Sequence, residues 1–166
     1  MRGFYALVHV ALSTLCIAVD PLVNLDYTSY HGTANPGGIS QWLGMRFAAP
    51  PVGDLRFAAP QEPPTNDSVQ IASQHGALCP AVGDSYNATS QNEDCLFLDV
   101  YAPSNATKDS ALPVFFFIQG GGYAQDSNPN LNGSGLISAA DMQMVVVTFN
   151  YRVGYDLPPC RVEPFD

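Results

Sequence analysis

Positive charge is scarce in this chain. Its 166 residues carry six Lys and Arg against fifteen Asp and Glu, a formal net charge of −9. A phosphate backbone is held by basic side chains that displace its counterions, and an anionic lipid surface by polybasic segments. Neither nucleic acid nor a charged membrane surface is therefore an expected partner. Metal-ligand spacings are also missing, since neither C-x-x-C nor H-E-x-x-H occurs. The stretches starting at Gly120 and Gly133 both lack the last glycine of a G-x-G-x-x-G dinucleotide loop. No metal and no cofactor are expected. A membrane-spanning helix needs about 20 apolar residues. The longest apolar run, residues 4–19, is sixteen long and is diluted by His9, Ser13 and Thr14, so no stable membrane insertion is expected.

What that run does fit is a leader. Met1-Arg2 is a short positive start, and Cys16 and Ala18 place small residues where a signal peptidase cuts. Residues 1–18 are read as a signal peptide and the protein as secreted. Without Arg2 the charge becomes 5 − 15 = −10. Four N-x-S/T sequons begin at Asn66, Asn87, Asn105 and Asn132, which marks these asparagines as glycosylation candidates. The cysteines beyond the leader are Cys79, Cys95 and Cys160. In an oxidising compartment two should pair and one is left over.

Residues 22–30 alternate apolar and polar, as a half-buried strand does. Asn35-Pro36-Gly37-Gly38 is turn chemistry and residues 39–43 resume extended character, which predicts a β-hairpin. Five prolines in residues 48–64 exclude regular structure there. Residues 95–101 alternate again. Residues 112–118, Leu-Pro-Val-Phe-Phe-Phe-Ile, and residues 144–149 are apolar on both faces and predict strands covered on both sides. A short helix near residues 135–140 lies between them. Strand, glycine loop, helix, strand is α/β organisation.

One stretch is more specific. Glu93-Asp94-Cys95-Leu96-Phe97-Leu98-Asp99-Val100-Tyr101-Ala102-Pro103 resembles the second signature of the type-B carboxylesterase/lipase family, the cholinesterase-like α/β-hydrolases. Three further segments fall in that family's order. Residues 43–57, with Leu43-Gly44-Met45-Arg46-Phe47-Ala48, resemble its N-terminal segment. Gln119-Gly120-Gly121-Gly122-Tyr123 resembles its oxyanion loop, and Asn150-Tyr151-Arg152-Val153-Gly154 the end of the following strand. The resemblance implies the N-terminal part of a type-B domain over residues 19–154. The corresponding fold is a truncated α/β-hydrolase, an N-terminal hairpin plus the first strands of the central mixed sheet. Residues 155–166, with three prolines and Cys160, form a divergent tail.

The resemblance assigns roles as well. The backbone N–H groups of Gly121 and Gly122 would be oxyanion donors, with Gly120 forming the turn and a third donor following the nucleophile. Cys79 would pair with Cys95, and Arg56 with Glu93. The implied activity is serine-type hydrolysis of a small-molecule carboxylic ester through an acyl-enzyme. Yet G-x-S-x-G is missing from these residues, the closest approaches being Gly38 to Trp42 around Ser40 and Gly83 to Asn87 around Ser85. His31 and His75 precede the glycine loop, whereas the fold's catalytic histidine comes last, so both are read as loop residues. No catalytic serine, acid or histidine is assigned, and the chain by itself is expected to be inactive. A non-catalytic, cholinesterase-like adhesion or binding domain is the alternative.

Overall fold

The computed structural model describes residues 21–82 and 89–154. The proposed leader, the Asn87 sequon, Ser85 and the tail with Cys160 lie outside them. Within residues 22–30 the chain forms two strands instead of one, β1 (Leu22–Asn24) and β2 (Ser29–His31), paired antiparallel. Leu25 N–H donates to the Thr28 carbonyl at 2.8 Å and reverses the chain between them. The predicted hairpin has a different first arm: β3 (Thr33–Asn35) pairs with β4 (Ile39–Arg46) across Pro36-Gly37-Gly38. β5 (Val69–Ile71) joins β2 in parallel and completes a three-stranded sheet β1-β2-β5. His31 therefore sits in a strand.

The larger sheet has the order β3-β4-β6-β8-β7, with β6 spanning Phe97–Pro103, β7 Val114–Phe117 and β8 Val145–Phe149. Its pairs are antiparallel except β7 with β8, which run parallel. Parallel neighbours need a crossover, and α1 (Ser134–Ala139) lies within it. That helix buries Ile137 against Tyr101, Val146, Ile39 and Leu43, with Met142 and Met144 packed alongside. Between β4 and β6 the register shifts at residues 42–45. The buried Asp99 serves this irregularity: one carboxylate oxygen accepts Gly44 N–H at 2.8 Å and the other meets His75 Nδ1 at 2.7 Å. An extra residue in a strand leaves ladder groups unpaired, and the Asp99 side chain replaces the missing partner.

A second core cluster gathers Ala48, Cys79, Cys95, Leu96 and Val153. Cys79 and Cys95 form a disulfide there. The Pro-rich stretch holds only a single 3₁₀ turn, Gly53–Leu55, before β5. It is tied down by Arg56 Nη2, which donates to Glu93 Oε2 at 2.6 Å, and by the buried Arg152, whose Nη1 donates to the Ala58 carbonyl at 2.8 Å.

The two apolar strands depart from expectation. β8 alternates between buried and half-buried positions. β7 is an edge strand, and Val114, Phe116 and Ile118 are 59%, 53% and 69% exposed. The apolar pattern of 112–118 demands cover on both faces, but among the described residues only β8 lies beside it.

Candidate active site

β7 and β8 run parallel and end side by side. In open α/β sheets ligands bind outside the carboxyl ends of such strands. Here the chain leaves β7 through Ile118-Gln119 into the glycine triplet, and leaves β8 through Phe149 to Tyr151. The residues 118–123, with Phe149 and Tyr151, line a concavity of about 520 Å³.

The loop is folded tightly on itself. Ala124 and Gln125 donate to the Gly121 carbonyl at 3.1 and 3.3 Å, and Ser127 donates to the Gly120 carbonyl at 3.1 Å. Only glycine fits this turn at position 121. Its φ is +144°, and a Cβ there would lie 1.6 Å from the Gln125 carbonyl oxygen. Gly122, at φ +59°, faces open space. The left-handed backbone thus falls on Gly121 and Gly122 and not on Gly120, which the sequence reading had made the turn former.

Carbonyl bonding decides where the amide hydrogens go. In a trans peptide the C=O of one residue and the N–H of the next point in opposite directions. The Gly120 carbonyl is held by Ser127 N–H and by the Tyr151 hydroxyl at 3.3 Å. The Gly121 carbonyl is held by two amides. Each of these peptide planes is therefore pinned from its carbonyl side. The amides on the far side, Gly121 N–H and Gly122 N–H, donate to no acceptor among the described residues. Two adjacent unsatisfied donors at the mouth of a concavity can bind a negatively charged oxygen.

Surrounding residues fix the loop from outside. The single proton of the Tyr151 hydroxyl is shared with the Gln119 carbonyl, its nearer acceptor, and the buried Gln119 accepts Asn128 N–H on Oε1 at 3.1 Å. Val82 N–H donates to the Ala124 carbonyl at 2.9 Å and Gly154 N–H to that of Tyr123. Burial raises the Tyr151 hydroxyl pKa, helped by the nearby Asp126 and Tyr123. Asp126 contributes one more tie, accepting Cys79 N–H on Oδ2 at 3.4 Å. Its Oδ1 is buried and has no partner among the described residues. Burial pushes its carboxyl up to about 6, against the smaller downward pull of the Cys79 N–H.

Sequence inspection located Gly121 and Gly122 but missed the Tyr151, Gln119 and Asp126 contributions. Each depends on a residue nine to 47 positions away. Ser40 lies within β4, buried, with its hydroxyl 2.9 Å from that of Ser104, and is no nucleophile elbow. His75 faces Asp99 and lines a separate concavity. The sequon residues Asn66, Asn105 and Asn132 are exposed.

The model of the carboxylesterase family matches residues 20–155. The para-nitrobenzyl esterase of Bacillus subtilis is 39% identical over 140 residues, covering 80% of this chain and 28% of that protein. The pyrethroid hydrolase Ces2e of Rattus norvegicus is 37% identical over 135 residues, covering 75% and 24%. Among solved structures, Aspergillus niger EstA aligns with a TM-score of 0.78 at 50% identity, over 81% of this chain and 26% of that one. A thermophilic PNB esterase gives 0.71 at 35% identity, over 82% and 29%. These structural neighbours are carboxylesterase α/β-hydrolases. The chain spans about a quarter of the length of these relatives.

Proposed function

The chain belongs to the carboxylesterase family, and from that premise we propose that it supplies the oxyanion-binding part of a secreted, serine-type carboxylic-ester hydrolase. The observation that carries this reading is the pair of amides at Gly121 and Gly122 that meet no acceptor among the described residues, with the carbonyls of both peptides held from behind. Attack on an ester carbonyl moves the carbonyl π electrons onto oxygen. Donors already aimed at that oxygen stabilise the charge without reorganising.

The remaining chemistry requires a nucleophile, a base and an acid. The sequence holds no G-x-S-x-G, so in these residues the donors have nothing to assist. The outer edge of β7 suggests where the nucleophile belongs. A further strand paired there in parallel would close the open edge of β7. It would end beside the glycine loop, where a serine at its tip could attack a carbonyl held by Gly121 and Gly122.

A chimera tests the proposal. Residues 21–154 replace the aligned segment of the Bacillus subtilis para-nitrobenzyl esterase, and p-nitrophenyl ester hydrolysis is followed. The chimera should turn over, and Gly121→Ala should lower kcat by about 10²–10³, the range for loss of an oxyanion donor. The chain alone should show no turnover that a serine-directed phosphonate abolishes. An inactive but folded chimera, or full activity after Gly121→Ala, would count against the proposal.

A further inference from the structure

Gln119 comes just before the glycine triplet and lines the same concavity, although only 5% of the residue is exposed. Its Oε1 accepts Asn128 N–H at 3.1 Å. A side-chain amide carries an oxygen that only accepts and a nitrogen with two N–H donors, so this bond settles which atom is which. Nε2 is left with both donors and meets no acceptor among the described residues. Nor is it sealed away. The buried side-chain atom without a partner among those residues is Asp126 Oδ1, so Nε2 keeps some accessible surface. The small open part of this buried residue therefore includes a nitrogen that can donate. The loop's own carbonyls do not call on it: those of Gln119 and Gly120 face the Tyr151 hydroxyl, and that of Gly121 holds two amides.

Three adjacent residues thus bring unpartnered N–H groups to one concavity: Nε2 of Gln119 and the backbone amides of Gly121 and Gly122. The lining holds no Lys, Arg or His, and its side chains other than Gln119 are Ile118, Tyr123, Phe149 and Tyr151. Neutral donors between apolar walls suit an uncharged ester whose oxygen becomes negative only during reaction. We propose that Gln119 is a further catalytic donor of this site, its Nε2–H directed to the same ester oxygen as the amides of Gly121 and Gly122. The proposal rests on the oxyanion reading above and extends it to a side chain. As the carbonyl π electrons move onto oxygen, the Asn128 bond keeps the side-chain amide in place, so a third donor shares the charge without reorganising. Unlike a backbone N–H, this donor can be removed by substitution.

Two measurements test it. In the ¹⁵N-labelled chain, benzoate serves as an uncomplicated carboxylate probe. The side-chain N–H signals of Gln119 and the amides of Gly121 and Gly122 should move together along one saturation curve. Movement of the two glycine amides alone would overturn the proposal and leave the oxyanion reading standing. No movement in any of the three would defeat that reading, and this proposal with it. In the chimera, Gln119→Glu keeps an acceptor for Asn128 N–H, removes both donors and adds a negative charge beside the developing one. It should lower kcat for p-nitrophenyl esters by about 10²–10³, the range for loss of one oxyanion donor, with KM little changed. Amide exchange at Asn128 should stay as slow as in the parent, which a merely collapsed loop would not allow. Unchanged kcat, or a rise in KM alone, would overturn the proposal. If that variant does not fold, the benzoate titration of the wild-type chain decides by itself.

Discussion

Gly121→Ala is the sharpest test of the loop geometry, because the neighbouring Gly122→Ala is its control. At position 121 the new methyl would lie 1.6 Å from the Gln125 carbonyl oxygen and 2.7 Å from its carbon. Both atoms are backbone, so the turn must open. Opening frees the amides of Ala124 and Gln125 from the Gly121 carbonyl, a loss of about 1 kcal/mol each. The positive φ near +144° costs an L-residue about 1–3 kcal/mol more. Together these place the penalty at about 3–5 kcal/mol. At position 122 a methyl meets nothing within 4 Å, and only the left-handed φ of +59° opposes it. That costs about 1–2 kcal/mol.

The expected result is a gap of about 2–3 kcal/mol between adjacent alanines of identical chemistry. For a chain of 166 residues, 1 kcal/mol shifts Tm by about 2–4 °C, so Gly121→Ala should melt about 4–12 °C below Gly122→Ala. Calorimetry reads the melt. Amide exchange at Ala124 and Gln125 reads the loop if it opens without disturbing the rest. Equal melting together with equal protection at those two amides would refute the turn as described.

Other perturbations follow from the same structure. Replacing Cys79 and Cys95 by Ala should cost about 3 kcal/mol for the fifteen residues they enclose, read as the difference in urea midpoint between oxidised wild type and the variant. Val114→Lys puts a charge on the open edge strand, a device that blocks edge pairing. The open apolar edge is expected to draw copies together, so the lysine should shift sedimentation toward monomer, and an unchanged profile would show that β7 is not where copies meet. The raised Asp126 pKa sets a direction for stability. The folded state holds this proton more tightly than the unfolded chain, whose carboxyl sits near 3.8. Its stabilising effect is complete below about pH 4 and is lost as pH rises through about 6. Stability of Asp126→Asn should lack that decline, and the rise from 3.8 to about 6 bounds the effect at about 3 kcal/mol, less the share screened by solvent at this partly exposed residue. Arg46→Lys loses a two-pronged bond to Asp94, at 2.6 and 2.8 Å, and a stack over Phe97. About 1 kcal/mol should be lost in denaturant titration.

Legibility in the sequence followed how local each constraint is. β6 was readable because Leu96, Leu98 and Val100 repeat at every second position within residues 95–101. The turn between β1 and β2 was not, because Leu25 to Thr28 contains no glycine or proline and its reversal rests on one backbone bond. β3 has only Thr33, Ala34 and Asn35, half-buried residues of which Thr33 alone favours a strand, and it forms because β4 offers a ladder. In the site, the glycine triplet marks itself, since few other residues tolerate such backbone. Tyr151 and Asp126 carry no local mark. Their roles exist only when β8 lies beside β7 and the disulfide segment passes under the loop.

That placement is also why the apolar run at 112–118 misled. Its composition records what the strand requires, cover on both faces, and is silent on which segment provides it. Chain order would put β7 next to β6 and let β8 close the edge. Instead β8 inserts between them, pairing antiparallel to β6 and parallel to β7. The insertion moves β7 to the margin of the sheet and leaves one of its edges and much of its apolar surface open. It also brings Tyr151, just past the end of β8, against the peptide planes of the glycine loop, where its hydroxyl holds the Gly120 carbonyl. One topological choice thus produces both the open edge and the pinned glycine peptides. A sheet in simple chain order would have buried β7 and separated the glycines from the residue that orients them.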